Sequence, residues 1–278
     1  MKKFILKLLP ACLRRKSHTI HILRLEGAIV AERSLGGKAI NGKSLEPLLK
    51  KAFRKNVSAV ALAINCPGGS PVQSAIIASR IRALSAEHKI PVYAFCEDVA
   101  ASGGYWLACA ADEIYADENS IVGSIGVIAG GFGFPQAMKK LGVERRVHTS
   151  GESKSTNDPF KPEKPEDVKK LKAMLEDMHE SFKAMVRARR EGKLKDTKEL
   201  FSGAYWTGRK SLDLGLIDGL GHLEPVMRHK FGDKIDLVEI EAPKGWGLKR
   251  LGFSAATELP EAVLNTLETR ALWQRFGL

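Results

Sequence analysis

The chain has 278 residues, 44% of them hydrophobic, and carries 44 Lys and Arg against 32 Asp and Glu, a formal net charge of +12. This composition supports a sizeable core and excludes a disordered chain, and no apolar run reaches the roughly 18–20 residues that cross a bilayer. The positive charge is spread among acidic residues, as in Lys169, Lys170, Arg189 and Arg190. With no zinc-ligand spacing and no aromatic–basic motif, it points to solvated helix faces rather than to nucleic acid.

In chain order, residues 1–16 (MKKFILKLLPACLRRK) open on a basic, then apolar, stretch that Lys7 interrupts and Pro10 ends. Arg14, Arg15 and Lys16 stand where a secretory signal would have small residues. A membrane-surface helix using Phe4, Ile5, Leu8 and Leu9, and a frayed basic terminus, both fit this segment. Residues 18–30 predict a strand and turn, and 44–55 a helix. VSAVALAIN (57–65) is a continuous apolar run of the kind a buried parallel strand shows. CPGGS then turns the chain into a helix, IPVYAFCED (90–98) is the next buried strand, and AASGG opens another helix. EIYAD and SIVGSIGVIAGGFGF predict short strands, FPQAMKKLG a short helix, and ERRVHTSG a strand. Three prolines mark 157–167 as a loop, 165–191 predicts a long amphipathic helix, and DLVEIEAP a last strand. This alternation argues for an α/β fold with a mostly parallel sheet and flanking helices. The expected division is a basic amino-terminal segment (1–17), a single domain (18–245) and a tail (246–278).

Cys12, Cys66, Cys96 and Cys109 have no CxxC spacing, and the last three lie in or beside apolar stretches. All four read as free thiols of a reducing compartment.

Two glycine-rich turns follow buried strands. CPGGS exposes backbone N–H groups at the carboxyl end of one strand, and AASGG places Ser102 at the start of a helix after the next. Acyl transfer needs a hydroxyl nucleophile beside such donors, and this layout offers both. Local sequence by itself favours a Ser102 that does no more than cap its helix. For a base, His148 ends a predicted strand, and Lys154 in GESKS follows the same strand. Lysine serves as a base where burial brings its pKa towards neutrality. A different class is suggested by Gly37 to Ser44 (GKAINGKS), which satisfies the P-loop pattern through Gly42, Lys43 and Ser44. Against it, the preceding strand ends near Val30, and Asn65 stands where an Asp would help hold Mg²⁺.

AASGGYWLACAADEIYADENSIVGSIGVI resembles the core of the signal peptide peptidase A family of serine–lysine peptidases. CPGGS is similar to that family's Pro-Gly-Gly loop, GESKS to its lysine loop, and AYWTGRKSLDLGLIDGLG to its later Tyr/Trp-Thr-Gly segment. The resemblance covers residues 57–222 with the motifs in order. It implies the ClpP/crotonase type of fold, built from repeated ββα units. It also implies Ser102 as nucleophile, Lys154 as base, Ser124 as the serine that orients the lysine, and Gly69 and Gly103 as oxyanion donors. No cofactor and no metal are expected. The partners implied are peptide substrates, such as signal-peptide remnants or other unfolded chains, and further copies in a homo-oligomer. The chain departs from the family at Cys66, where a serine or similar small residue is usual. No membrane anchor is expected before the domain, a departure from many family members that counts against a membrane location and a signal-peptide substrate. The expected location is the cytoplasm, peripheral at the inner membrane face if residues 1–16 bind lipid. An inactive ClpP/crotonase-like scaffold is the alternative within this fold.

Overall fold

The computed structural model describes residues 17–31, 39–151, 153–241 and 270–277. The main sheet runs in the order β10 (Ile235–Glu239), β1 (His18–Glu26), β4 (Ala59–Cys66), β5 (Val92–Ala101), β6 (Glu113–Ala116) and β9 (Gly219–Leu220), all pairs parallel. β7 (Ile121–Gly123) pairs parallel with the end of β5, and β8 (Tyr205–Thr207) pairs antiparallel with β7. Two short strands, β2 (Ala28–Ile29) and β3 (Ala39–Ile40), form a separate parallel pair. The mostly parallel α/β architecture expected from the alternation of patterns is therefore the one observed.

Period-two alternation sorts each central strand between two covered faces. On β4, Val60, Leu62 and Ile64 join the main core, while Ala59 and Ala61 face a second, smaller one. The main core is covered by α1 (Gly42–Ala52), α2 (Pro71–His88), α3 (Gly103–Ala108) and α5 (Pro165–Arg189), through residues such as Leu49, Ile77, Tyr105 and Phe182. The opposite face is covered by α7 (Leu223–Phe231), whose Met227 is fully buried. A short helix, α4 (Pro135–Lys140), buries none of its residues, and α6 (Gly208–Asp213) follows β8.

The segment predicted as a strand over ERRVHTSG is not one. Residues 143–149 have no regular structure and are exposed almost throughout. Likewise SIVGSIGVIAGGFGF contributes a strand only over Ile121–Gly123. β-branched residues make a strand only where a sheet edge accepts their hydrogen bonds, and this part of the chain projects away from the sheet. Phe134 stacks on Phe160 with ring centroids 5.7 Å apart, the Arg145 guanidinium lies over the Phe160 ring, and Phe134 N–H donates to Pro159 O.

Cys66, Cys96 and Cys109 are buried free thiols, as expected, and Cys12 lies outside the described residues. Burial pushes Cys66 and Cys109 up to about 12. Among the described residues no helix is long and apolar enough to cross a membrane.

Candidate active site

β4, β5 and β7 end side by side, and each ends in one of the singled-out turns. What brings the second and third together is an irregularity in β5. Ile64 pairs with Cys96, but Cys66 pairs with Ala100, so β5 has extra residues at Glu97 and Asp98. Asn65 fills the gap: its Nδ2 donates to Asp98 Oδ2 at 2.8 Å, and its Oδ1 accepts from Val99 N–H at 3.2 Å. Bulges bend and re-aim the strand that carries them. Below this one β5 pairs with β6, and above it with β7. Asn65, judged in the sequence only as a missing Mg²⁺ ligand, thus shapes the site from outside it.

Ser102 leaves β5 at φ +52, ψ −120, a backbone region costly for any residue but glycine, and its N–H is tied to Gly123 O at 2.8 Å. It is the N-cap of α3, yet its side chain makes no capping hydrogen bond. The capping role that local sequence allowed is thus not taken up, and the hydroxyl is left for other chemistry. A strained strand-to-helix turn is how the nucleophilic serine is held forward in α/β-hydrolases. One strand over, Ser124 follows Gly123, which lies in register with Ala101. Ser124 is 5% exposed, also has positive φ (+53), and donates its N–H to Ala204 O at 2.7 Å.

The glycines explain themselves by crowding. A Cβ on Gly103 would lie 2.5 Å from Ser74 Oγ, and one on Gly104 2.3 Å from Cys66 O. The start of α3 therefore passes directly over the CPGG turn. Gly103 N lies 3.0 Å from where a Gly68 Cβ would be, so the two turns touch. Ile29 donates to Gly68 O at 2.8 Å and accepts from Ser70 N–H at 2.8 Å, flanking an isolated parallel bridge between Ile29 and Gly69. In such a bridge the flanking residues supply the hydrogen bonds, and Gly69 turns its own N–H to the opposite side. Gly103 N–H belongs to the first turn of α3, where no intrahelical acceptor exists. Two backbone donors are thus available beside Ser102.

The lysine is not part of this assembly. Lys154 is exposed in a turn over 153–157, with its N–H on Gly151 O, and Lys170 Nζ ties the neighbouring Ser153 to α5 at 2.8 Å. Among the described residues no hydrogen bond or ion pair joins Lys154 to Ser102 or Ser124. The strand end that would have placed it at the sheet is absent. His148 is exposed as well.

The AYWTG segment supports the site rather than entering it. Trp206 lies against Gly123, where a Cβ would come 2.8 Å from the ring, and Thr207 caps α6 by accepting from Lys210 N–H. The P-loop reading has no support in the described part of its loop. Gly42 N–H donates to Gln73 Oε1 at 2.9 Å and Ser44 N–H to Asn41 Oδ1 at 2.8 Å, so protein groups already occupy donors a phosphate would need. Gly37 lies outside the described residues.

A parallel α/β sheet that brings an uncapped serine on a strained turn beside two free backbone donors is an arrangement suited to acyl transfer. The model of peptidase family S49 matches residues 85–232. The chain is 33% identical over 208 residues to "Putative protease slr0021" of Synechocystis sp., covering 73% of this chain and 74% of that protein. It therefore belongs to peptidase family S49. It is also 46% identical over 284 residues to a protein of Brucella melitensis named "Na(+)/H(+) antiporter NhaA"; the match takes in 98% of this chain but only 39% of that relative's length. Among solved structures it resembles a lysine-to-alanine mutant of the 1510-N membrane-bound stomatin-specific protease in complex with a substrate peptide. That match has a TM-score of 0.51 and 13% identity, covering 90% of this chain and 99% of the other. This likeness carries the fold.

Proposed function

We propose that the protein is an endopeptidase that hydrolyses peptides through an acyl-enzyme, with Ser102 and Lys154 as a serine–lysine dyad. The observation that carries the reading is the Ser102 hydroxyl, uncommitted to capping on its strained turn, with the Gly69 and Gly103 N–H groups beside it. Neutral Lys154 takes the Ser102 proton as Oγ attacks the scissile carbonyl, and the two N–H groups hold the resulting oxyanion. Lys154 then protonates the leaving amine, and water activated by the same amine hydrolyses the ester. Ser124 orients the lysine by hydrogen bonding, as the family resemblance implies. The substrates are extended peptides with small or apolar residues near the cut, such as signal-peptide remnants or other unfolded chains. Its place is the cytoplasm, with residues 1–16, outside the described part, as the route to a membrane surface.

The dyad is completed between neighbouring copies in a homo-oligomer. Supporting this is the exposure of Lys154 on a projecting segment that also presents Phe132 (82% exposed) and Leu141 (76%) to solvent. Large apolar side chains grouped on one projection are the mark of a contact surface. The test is complementation. Purified Ser102→Ala and Lys154→Ala proteins are each expected to be inactive, and to regain peptide hydrolysis when co-assembled. A mixture that stays inactive, with mixed assembly confirmed by mass, refutes the shared site, and full activity in either single variant refutes the dyad.

A further inference from the structure

α5 carries Leu171, Leu175, His179, Phe182 and Val186 at helical spacing; Phe182 and Val186 are buried, the other three half-buried, and His179 is the polar one. Phe182 stacks on Trp106 of α3 with ring centroids 4.7 Å apart, and Arg189 donates to the carbonyls of Cys109 and Ala111 just past the end of α3. Close to Phe182 on the same stripe, His179 Nε2 lies 3.0 Å from the carbonyl oxygen of Ile125. A carbonyl can only accept, so this ring nitrogen carries a proton.

Ile125 is fully buried and directly follows Ser124. The Ser124 N–H is held by Ala204 O and the Ser124 carbonyl by Gly126 N–H at 3.0 Å. The contact from His179 adds a third restraint, on the Ile125–Gly126 peptide group one residue further on. A serine at φ +53 has more comfortable backbone wells nearby, and it stays where it is because its surroundings over-determine it. α5 therefore grips both elements that carry the paired serines, α3 through Phe182 and Arg189, and the Ser124 turn through His179.

We infer that His179 is a positioning residue of the peptidase site, its Nε2–H fixing the turn over 124–126 so that the Ser124 hydroxyl is aimed at its partner. It acts through Ser124 and touches no reacting atom. The inference rests on the serine–lysine reading above, in which Ser124 orients the base.

The experiment compares wild type, Ser102→Ala, His179→Leu and His179→Gln in the full chain, since the Gln amide nitrogen can reproduce the Nε2–H donor. Loose support of a catalytic group is expected to lower kcat of His179→Leu by roughly 10–100-fold, with KM within about twofold. His179→Gln is expected to recover most of that loss. Amide hydrogen exchange at Gly126 should be faster in the Leu variant and near wild type in the Gln variant. Unchanged kcat in His179→Leu beside an inactive Ser102→Ala protein overturns the positioning role alone. So does a loss that accompanies a lowered melting temperature and is not restored by Gln. A Ser102→Ala protein that still hydrolyses peptides, or a wild type that hydrolyses none, overturns the peptidase reading and this inference with it.

Discussion

Replacing Gly69 by alanine tests the proposed oxyanion role of its loop with a single methyl group. Gly69 has φ +141, and a Cβ there would lie 2.0 Å from Ile29 O and 2.9 Å from Ile29 N. Ile29 cannot retreat freely, because hydrogen bonds to Gly68 and Ser70 hold it on both sides. Alanine at this φ carries roughly 1–3 kcal/mol of conformational strain wherever the loop comes to rest. Relieving the clash sacrifices those two hydrogen bonds, worth about 1 kcal/mol each. The total penalty is about 3–5 kcal/mol, within what a domain of typical stability (about 5–15 kcal/mol) survives. Gly69→Ala should therefore fold, melt at a lower temperature, and hold its loop displaced. Displacing one oxyanion donor is expected to lower kcat by about 10²–10³-fold. The assay is steady-state peptide hydrolysis beside thermal melting. Gly131→Ala serves as control, because a Cβ on Gly131 meets nothing within 4 Å. Wild-type kcat and melting temperature in Gly69→Ala would refute both the crowding argument and the role of this N–H.

Two further expectations concern stability and thiol chemistry. Asp218 is partly buried, which alone would raise its pKa. Arg190 at 2.6 Å, Lys193 at 2.7 Å and the Ile114 N–H outweigh that and leave it below the ordinary carboxylate range. A depressed folded-state pKa means that this stabilisation is present above the unfolded value near 3.9 and lost as pH falls through the folded one. Asp218→Asn should cost roughly 3–5 kcal/mol at neutral pH, because Arg190 stays buried without its counter-charge, and should flatten the acid limb of the unfolding curve. Equal stability of the two proteins at pH 7 would contradict this. Cys66, Cys96 and Cys109 should resist thiol reagents in the folded protein and react only on unfolding, since burial raises all three pKa values. Peptide mapping that finds any of them labelled under native conditions would refute it.

Local physics made much of this molecule readable from its residues. Continuous apolar runs such as VSAVALAIN and IPVYAFCED, bounded by turn residues, read as buried strands, and the apolar spacing of 165–191 reads as an amphipathic helix, which buries Phe182 and Val186. Both signals depend on near neighbours in the chain, so they survive without knowledge of the fold. CPGG and AASGG announced tight turns for the same reason. The layout offered backbone donors and a candidate base, but the choice of Lys154 over His148, of Ser124, and of Gly69 and Gly103 among the turn glycines came from resemblance, because nothing within a few residues of each distinguishes it from a solvated lysine, a turn serine or a flexible glycine.

Tertiary structure decided what depends on register and crowding between distant segments. Strand propensity in ERRVHT came to nothing because no sheet edge is within reach. Whether Ser102 capped its helix or left its hydroxyl free was open until the +52 turn appeared. Ser102 and Ser124 became neighbours only through the two-residue irregularity that Asn65 fills, which shifts the end of β5 from β6 to β7. A bulge and a glycine packed against a remote carbonyl have no periodic trace in sequence, since their cause is an atom tens of residues away. Composition and pattern determined that there would be a parallel sheet ending in glycine turns. Only the packing of those turns against one another, and of α5 against two of the elements that carry them, determined that they form one site.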